Sequence, residues 1–268
     1  MDKRAIGVFD SGLGGLTVVK ELIEELPGEN IVYFGDTARI PYGTRSKDTV
    51  EKYSSQCIRF LQTQNVKMVV VACNTVSSCC LDTLRNRFDI PIVGVIEPGA
   101  EAAIAATKNG KIGIIGTRGT ISSGAYERAL LGHNPNVCLF SKPCSLFVPI
   151  VEEGWSDTEV AYLTAKEYLS NLKKEKIDTL ILGCTHYPLL TGVIHRVMED
   201  NVTLIDPAEG TARLVAKSLA KNNMLNLSED TGKAKFFVSD FGQKFEQIGS
   251  RFLNQNVICA KRIDIEEY

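Results

Sequence analysis

The sequence predicts an α/β fold of two compact, pseudo-symmetric domains, each a mainly parallel sheet flanked by helices, with the candidate active site in the cleft between them. Three observations predict this fold. Short strand-like apolar runs alternate with helical patterns over most of the 268 residues. The alternation restarts near Pro98 and Gly99. Two apolar runs end in the similar phrases "VVVACNT" and "LILGCTH", which indicates a duplicated half.

The elements follow in order along the chain. Strands are predicted at 5–9, 30–35, 67–72, 90–95, 111–116, 137–141, 179–183 and 202–206. Helices are predicted near 14–26, 47–64, 75–88, 120–131, 157–174, 189–199 and 209–222. The run "EPGAEAAIAA" predicts a linking helix, which places the first domain boundary after residue 97 and the second domain over 98–207.

Composition narrows the function classes. Hydrophobic residues make up 44% of the chain and charged residues 23%, as in ordinary globular proteins. The net charge of −2 predicts no nucleic-acid partner, because polyanion binding needs an excess of positive charge. No apolar run approaches the roughly 20 residues of a membrane span, and "MDKRAIGVFD" has no signal-peptide pattern. We therefore expect a cytoplasmic protein without a membrane partner.

Eight cysteines raise the question of disulfides and metals. They lie at positions 57, 73, 79, 80, 138, 144, 184 and 259. Cytoplasmic thiols stay reduced, which disfavours disulfides. No Cys-x-x-Cys pair occurs, so structural zinc is also disfavoured and no metal is predicted. Cys79 and Cys80 fall inside a predicted helix, where core packing is expected.

Four residues with polar or thiol side chains lie at the carboxyl ends of predicted strands. Asp10 follows the first strand, Asp36 the second, Cys73 the third, and Cys184 a strand of the second half. Because the carboxyl ends of parallel strands form the ligand crevice, we expect these side chains at one site. Each cysteine also precedes a predicted helix, whose N-terminus is expected to lower the thiol pKa. The alternative is that both cysteines are small buried apolar residues. Their equivalent positions favour the functional interpretation.

The glycine-rich stretch "FDSGLGGLTVVK" admits a second interpretation. A dinucleotide-binding fingerprint needs a further glycine where Thr17 stands, although Asp36 lies where a ribose-binding acid is expected. A tight turn with a helix cap is also compatible with the pattern. A nucleotide site, however, would not explain why Cys73 and Cys184 follow two strands at equivalent positions.

Two matched thiols are suited to inverting a carbon centre. One base must remove a proton from one face while an acid returns a proton to the other face, and equal energies of the enantiomers require the same chemistry in reverse. Hydrogen bonds to the carboxylate, where charge builds up, stabilise the carbanion-like transition state by roughly 3 kcal/mol for one well-placed donor. The residues thus favour a racemase over an acyl-transfer enzyme with one thiolate.

Five motifs carry a family resemblance. "VFDSGLGG", "PYGTRS", "ACNTVSS", "FVPIVEEG" and "LGCTHYPLL" resemble those of the bacterial glutamate racemases, cofactor-independent members of the aspartate/glutamate racemase family. They span residues 7 to about 190. The resemblance implies glutamate as the substrate, no cofactor, and a D-glutamate product that supplies peptidoglycan and hence cell-wall biogenesis and cell shape. It also implies that residues from about 208 to 268 pack back on the first domain.

Carried onto this chain, the resemblance implies that Cys73 deprotonates D-glutamate and Cys184 deprotonates L-glutamate. Asp10 would assist Cys73, while His186 and Glu152 would assist Cys184. The residues implied to hold the substrate are Asp10, Ser11, Tyr42, Gly43, Asn74, Thr75, Thr185 and His186. Asp36 lies where it would support the site.

Two alternatives remain open at this point. A related racemase for aspartate would use the same two thiols, and the difference would lie in pocket length. A nucleotide-binding module without catalysis would bind NAD or ATP and isomerise no amino acid. A homodimer is compatible with the resemblance, and the sequence does not specify the oligomeric state.

Overall fold

Two parallel sheets form the centre of the fold in the computed structural model, which describes residues 2–199, 201–228, 230–240, 249–250, 252–253 and 260–268. The strands in chain order are β1 (Ala5–Asp10), β2 (Ile31–Gly35), β3 (Val66–Val71), β4 (Ile92–Gly94), β5 (Lys111–Gly116), β6 (Cys138–Pro143), β7 (Thr179–Gly183), β8 (Thr203–Ile205), β9 (Ala234–Val238) and β10 (Ala260–Arg262). The first sheet has the order β10-β9-β2-β1-β3-β4 and the second the order β6-β5-β7-β8. All neighbouring strands in these sheets are parallel.

The two sheets repeat one arrangement. The order β2-β1-β3-β4 in the first corresponds strand for strand to β6-β5-β7-β8 in the second. β3 and β7 therefore occupy equivalent positions, and Cys73 and Cys184 follow them closely. The predicted α/β fold with two related parallel sheets is confirmed.

Helices cover both sheets and bury the central strands. They are α1 (Leu16–Glu25), α2 (Lys47–Thr63), α3 (Asn74–Cys79), α4 (Leu81–Arg87), α5 (Ile96–Ala106), α6 (Arg118–Ser122), α7 (Ala125–His133), α8 (Phe147–Glu152), α9 (Glu159–Lys174), α10 (Thr191–Met198) and α11 (Pro207–Lys221). Every residue of β2, β3 and β7 is buried, as expected for parallel strands packed on both faces. No helix of the described ranges is both long and apolar enough to cross a membrane.

Side-chain caps fix several helix starts. Ser46 accepts the N–H of Thr49 at the start of α2, and Asp206 accepts the N–H of Ala208 at the start of α11. Pro207 follows Asp206 at the first helical position, where its missing N–H costs nothing. These residues therefore set where the helices begin.

Two predicted helices are each divided in the structure. The helix predicted near 75–88 ends at Cys79 and restarts at Leu81, with Cys80 at φ −127° and ψ −7° between α3 and α4. The helix predicted near 120–131 is interrupted by Gly124, whose φ of 64° is left-handed and suits glycine. Cys80 is buried in the core as expected, and Cys79 is partly exposed and packs against the same core.

The C-terminal strands add to the first sheet beyond the predicted elements. β9 pairs with β2, and β10 pairs with β9. α11 packs against both α1 and α5, so it joins the two halves of the molecule. Cys259 and most of the segment between β9 and β10 lie outside the described residues.

A buried ion pair holds the opposite end of the first sheet. The ammonium of Lys67 donates to Glu29 Oε2 at 2.6 Å and to the carbonyls of Asp2 and Met224 at 2.9 and 2.7 Å. The side chains of Lys67 and Glu29 are 0% and 2% exposed. Glu29 Oε1 also accepts the N–H of Asn226. This pair connects three distant parts of the chain.

Candidate active site

A cavity of about 300 Å³ lies where the carboxyl ends of the two sheets face each other. It is lined by ten of the twelve residues predicted as site residues: Ser11, Tyr42, Gly43, Cys73, Asn74, Thr75, Glu152, Cys184, Thr185 and His186. Asp10 and Asp36 do not line it and are fully buried. Both thiols therefore face one cavity, one from each sheet.

Cys73 lies between β3 and α3. Its sulfur donates to Ser11 Oγ at 3.4 Å and the residue is 5% exposed. Burial, and next the charge of Asp10, raise the pKa of the Cys73 thiol to about 12, although bonds from Ser11 and the Val76 N–H oppose this shift. The expectation that the helix start lowers the pKa of this thiol is therefore wrong, because burial outweighs the N–H groups of a six-residue helix.

Asp10 ends β1 and is anchored by the glycine-rich loop. Its Oδ2 accepts the N–H of Gly12 at 3.0 Å, and its Oδ1 accepts the hydroxyl of Thr185 at 3.5 Å across the cleft. Burial raises the pKa of Asp10, while the charge of His186 and the loop N–H groups oppose the shift. A Cβ on Gly15 would lie 2.5 Å from Asp10 Cβ, so glycine at that position gives Asp10 its space.

Cys184, His186 and Glu152 form a connected set on the second half. The Cys184 sulfur lies 4.0 Å from His186 Nδ1, and His186 Nε2 lies 3.2 Å from Glu152 Oε1. Burial alone would lower the pKa of His186, but the contacts with Cys184 and Glu152 outweigh it and raise the pKa to about 10. His186 is therefore an imidazolium at neutral pH. A cation at this distance stabilises negative charge on the sulfur of Cys184.

Asp36 supports the cavity from behind. It accepts the Tyr42 hydroxyl, Arg39 Nε at 2.7 Å and Ser239 Oγ at 2.8 Å. Tyr42 in turn lines the cavity. The carboxylate of Asp36 is thus engaged within the protein, and it is not directed at a ribose as the nucleotide alternative expects.

Direct contacts across the cleft bring the two halves together. Tyr126 donates its hydroxyl to Asn74 Oδ1 at 2.7 Å, and the hydroxyls of Thr75 and Thr117 lie 2.9 Å apart. A Cβ on Gly14 would lie only 2.2 Å from Thr185 Oγ1. Glycine at this position therefore allows the second half to lie close to the glycine-rich stretch.

Sequence reasoning missed seven residues that line the cavity, which are Ile40, Pro41, Thr44, Thr117, Ser145, Val148 and Pro149. Thr117 follows β5, so the strand-end rule could have found it. Val148 and Pro149 belong to α8, a helix that the sequence analysis did not predict. Within the described residues, no group of three His, Cys, Asp or Glu side chains is arranged to hold a metal ion.

The fold and the cavity define a class of protein: an α/β enzyme with acid–base groups from two related halves around one small-molecule site. A profile of the family described as Asp/Glu/Hydantoin racemase matches residues 6–215. The chain therefore belongs to the Asp/Glu/hydantoin racemase family, and it is an isomerase.

Individual relatives cover the whole length. The chain is 50% identical over 266 residues to a glutamate racemase of Geobacter metallireducens, covering 99% of this chain and 98% of the relative. It superposes on the crystal structure of a glutamate racemase isoform from Bacillus anthracis with a TM-score of 0.94, 42% identity and 98% coverage of both chains. A glutamate racemase from Francisella tularensis, solved in complex with D-glutamate, gives a TM-score of 0.92, 40% identity and full coverage of both chains.

Proposed function

We propose that this enzyme interconverts L-glutamate and D-glutamate by a two-base mechanism in which Cys73 and Cys184 act on opposite faces of the α-carbon. One observation carries the proposal: the two thiols occupy equivalent positions in the two sheets and line the same cavity. The names of the full-length relatives support glutamate as the substrate. No cofactor is needed, because the thiols supply both the acid and the base.

In the direction from L-glutamate, the Cys184 thiolate removes the α-proton and the Cys73 thiol donates its proton to the opposite face. In the direction from D-glutamate, the two residues exchange roles. His186, held by Glu152, stabilises negative charge on Cys184. Asp10 stands behind Cys73 and favours its protonated form, because its charge opposes a thiolate there.

Polar groups around the cavity hold the substrate. Ser11, Asn74, Thr75 and Thr185 present hydroxyl and amide groups to the cavity, and Tyr42 and Gly43 close its side. In this proposal they bind the two carboxylates and the amine, with Asp10 and His186 contributing charge. Donors to the α-carboxylate stabilise the carbanion-like transition state, where its negative charge increases.

The resting protonation follows from these surroundings. Cys73 keeps its proton at neutral pH, because its pKa is raised to about 12. The imidazolium of His186 lies beside Cys184. A protonated Cys73 is the proton donor that the direction from L-glutamate requires.

The cellular role follows from the product. We propose that the enzyme acts in the cytoplasm and that its product, D-glutamate, feeds peptidoglycan synthesis. We also propose domain limits of 1–97 with about 208–268 for the first domain and 98–207 for the second. The pairing of β9 with β2 and the packing of α11 on α1 support this division.

Racemisation assays with single variants test the mechanism. L-glutamate, D-glutamate and L-aspartate are followed by circular dichroism, and we expect turnover of glutamate but not of aspartate. Cys73→Ala and Cys184→Ala should each abolish racemisation in both directions, and Cys138→Ala, at an exposed thiol, is the matched control. Solvent-deuterium incorporation should fail mainly for L-glutamate in Cys184→Ala and mainly for D-glutamate in Cys73→Ala. A Cys184→Ala enzyme that racemises L-glutamate at a near-normal rate would contradict the two-base scheme.

A further inference from the structure

Two adjacent cysteines outside the cavity have no part in the proposed mechanism. Cys79 is the last residue of α3, and Cys80 lies between α3 and α4. Their sulfurs are 3.3 Å apart. Cys79 is partly exposed, whereas Cys80 is buried at 1% exposure. One residue of a pair whose sulfurs are already in contact is therefore partly open to solvent.

Cys79 differs from the cavity thiol of Cys73 in the direction in which its pKa is shifted. A hydrogen bond from Cys80 lowers the pKa of Cys79, and the nearby Lys47 has the same effect, while burial and Glu51 oppose it. The pKa of Cys73 is instead raised to about 12. Peroxides react with exposed thiolates, so Cys79 is the thiol most open to oxidation of these three.

We propose that Cys79 and Cys80 form a reversible oxidation site for hydrogen peroxide, and that closing the disulfide lowers turnover at the neighbouring cavity. The Cys79 thiolate attacks the peroxide, so an S–O bond forms, the O–O bond breaks and hydroxide leaves. The Cys80 thiol then attacks the Cys79 sulfur, its proton passes to the departing oxygen, and water leaves as the S–S bond forms. Two thiols are oxidised and one peroxide is reduced to two waters.

Adjacent positions make this disulfide labile. Bridged cysteines usually have Cα atoms about 4.4–6.8 Å apart, but neighbours in the chain are held at about 3.8 Å. The bridge therefore stores strain, and strained bridges are the readily reduced ones. This property suits a reversible site rather than a permanent link.

The disulfide would reach the cavity through α3. The Cys79 thiol donates to the carbonyl of Thr75 at 2.9 Å, and oxidation removes this donor. The sulfurs must also approach from 3.3 Å to about 2.05 Å, which strains the junction at Cys80. Thr75 lines the cavity and contacts Thr117 across the cleft. Because a displacement of about 1 Å can cost roughly 10²-fold in rate, we expect turnover to fall at least about 10-fold.

The test treats the intact enzyme with hydrogen peroxide, alkylates the remaining thiols and maps them by fragmentation of the peptide that carries residues 68–85. We expect Cys79 and Cys80 to be joined while Cys73 is alkylated. The rate of glutamate racemisation, a readout that rests on the proposed function, should fall after peroxide treatment and recover after dithiothreitol. Cys80→Ser should instead give a sulfenic acid on Cys79 that dimedone traps, and Cys79→Ser should give neither product.

Three results separate the possibilities. Oxidation of Cys73 or Cys184 with Cys79 and Cys80 still alkylated would overturn the oxidation site. A disulfide that leaves turnover unchanged would overturn the coupling to the cavity. An untreated enzyme that never racemises glutamate would refute the proposed function alone, since the peptide map still decides whether the disulfide forms.

Discussion

Gly14→Ala probes how closely the two halves approach in the active enzyme. Gly14 follows β1, whereas Thr185 and His186 follow β7. A Cβ on Gly14 would lie 2.2 Å from Thr185 Oγ1 and 2.7 Å from His186 Nδ1. The first distance falls about 1.2 Å short of the 3.4 Å at which ordinary contact begins. The halves must therefore separate, or the two cavity side chains must turn away.

Either movement displaces Thr185 and His186, which act on the substrate in the proposed mechanism. A misplacement of about 1 Å can cost roughly 10²-fold, so we expect kcat/KM for both enantiomers to fall by about that factor. Circular dichroism with L- and D-glutamate measures this loss. The added methyl group meets the cleft and not the interior of either sheet, so the melting temperature should change little. Gly132→Ala and Gly192→Ala are the controls, since nothing lies within 4 Å of a Cβ at either helical position.

The result that refutes this reasoning is specific. A Gly14→Ala enzyme with kcat/KM close to the native value would show that the contact with Thr185 is not required for turnover. If activity and melting temperature fell together, the loss of activity would instead be due to a destabilised fold. The helical controls separate a general effect of alanine from the effect at the cleft.

Three further predictions concern stability, pH and positioning. Lys67→Met should lower the free energy of unfolding in urea by about 3–5 kcal/mol, because it leaves Glu29 charged and buried. Adding Glu29→Gln should recover part of this loss. A loss under about 1 kcal/mol would contradict the argument. The pKa of His186 is raised from 6.5 to about 10. The contribution of His186 to folding stability is therefore complete below pH 6.5 and is lost as the pH rises through about 10. The melting temperature of the native enzyme should therefore exceed that of His186→Asn by less and less as the pH rises. A difference that stays constant with pH would show that the pKa of His186 does not contribute to stability. Asp36→Asn should lower kcat about 10-fold by loosening Tyr42, without abolishing racemisation, and an unchanged kcat would remove Asp36 from the support of the cavity.

The position of the cavity residues was predictable because parallel strands collect their carboxyl ends at one edge. Cys73 and Cys184 follow equivalent strands, so the local strand pattern was enough to place both at the cleft. The C-terminal strand β9 was not predictable in this way. It pairs with β2, about 200 positions earlier in the chain, and no local pattern encodes such a distant partner.

The electrostatics of the site were less accessible to sequence reasoning than its location. The helix start after Cys73 predicted a lowered thiol pKa, but the thiol is buried beside Asp10 and its pKa is raised. Burial depends on what the rest of the chain places over a residue, and the six residues around Cys73 do not reveal it. The same limit applies to Cys79, whose partial exposure at the end of α3 cannot be read from the neighbouring residues.

The unequal surroundings of the two thiols are compatible with a reaction that favours neither enantiomer. Cys73 lies beside the buried carboxyl group of Asp10, and Cys184 lies beside the imidazolium of His186. Equal free energies of L- and D-glutamate require equal kcat/KM in the two directions, whatever the enzyme. If the free enzyme favours the state that binds L-glutamate, D-glutamate must bind to a less populated state, which raises its KM. Its kcat must then be higher by the same factor. The asymmetry of the site therefore appears as a matched difference in kcat and KM, and their ratio stays the same for both enantiomers.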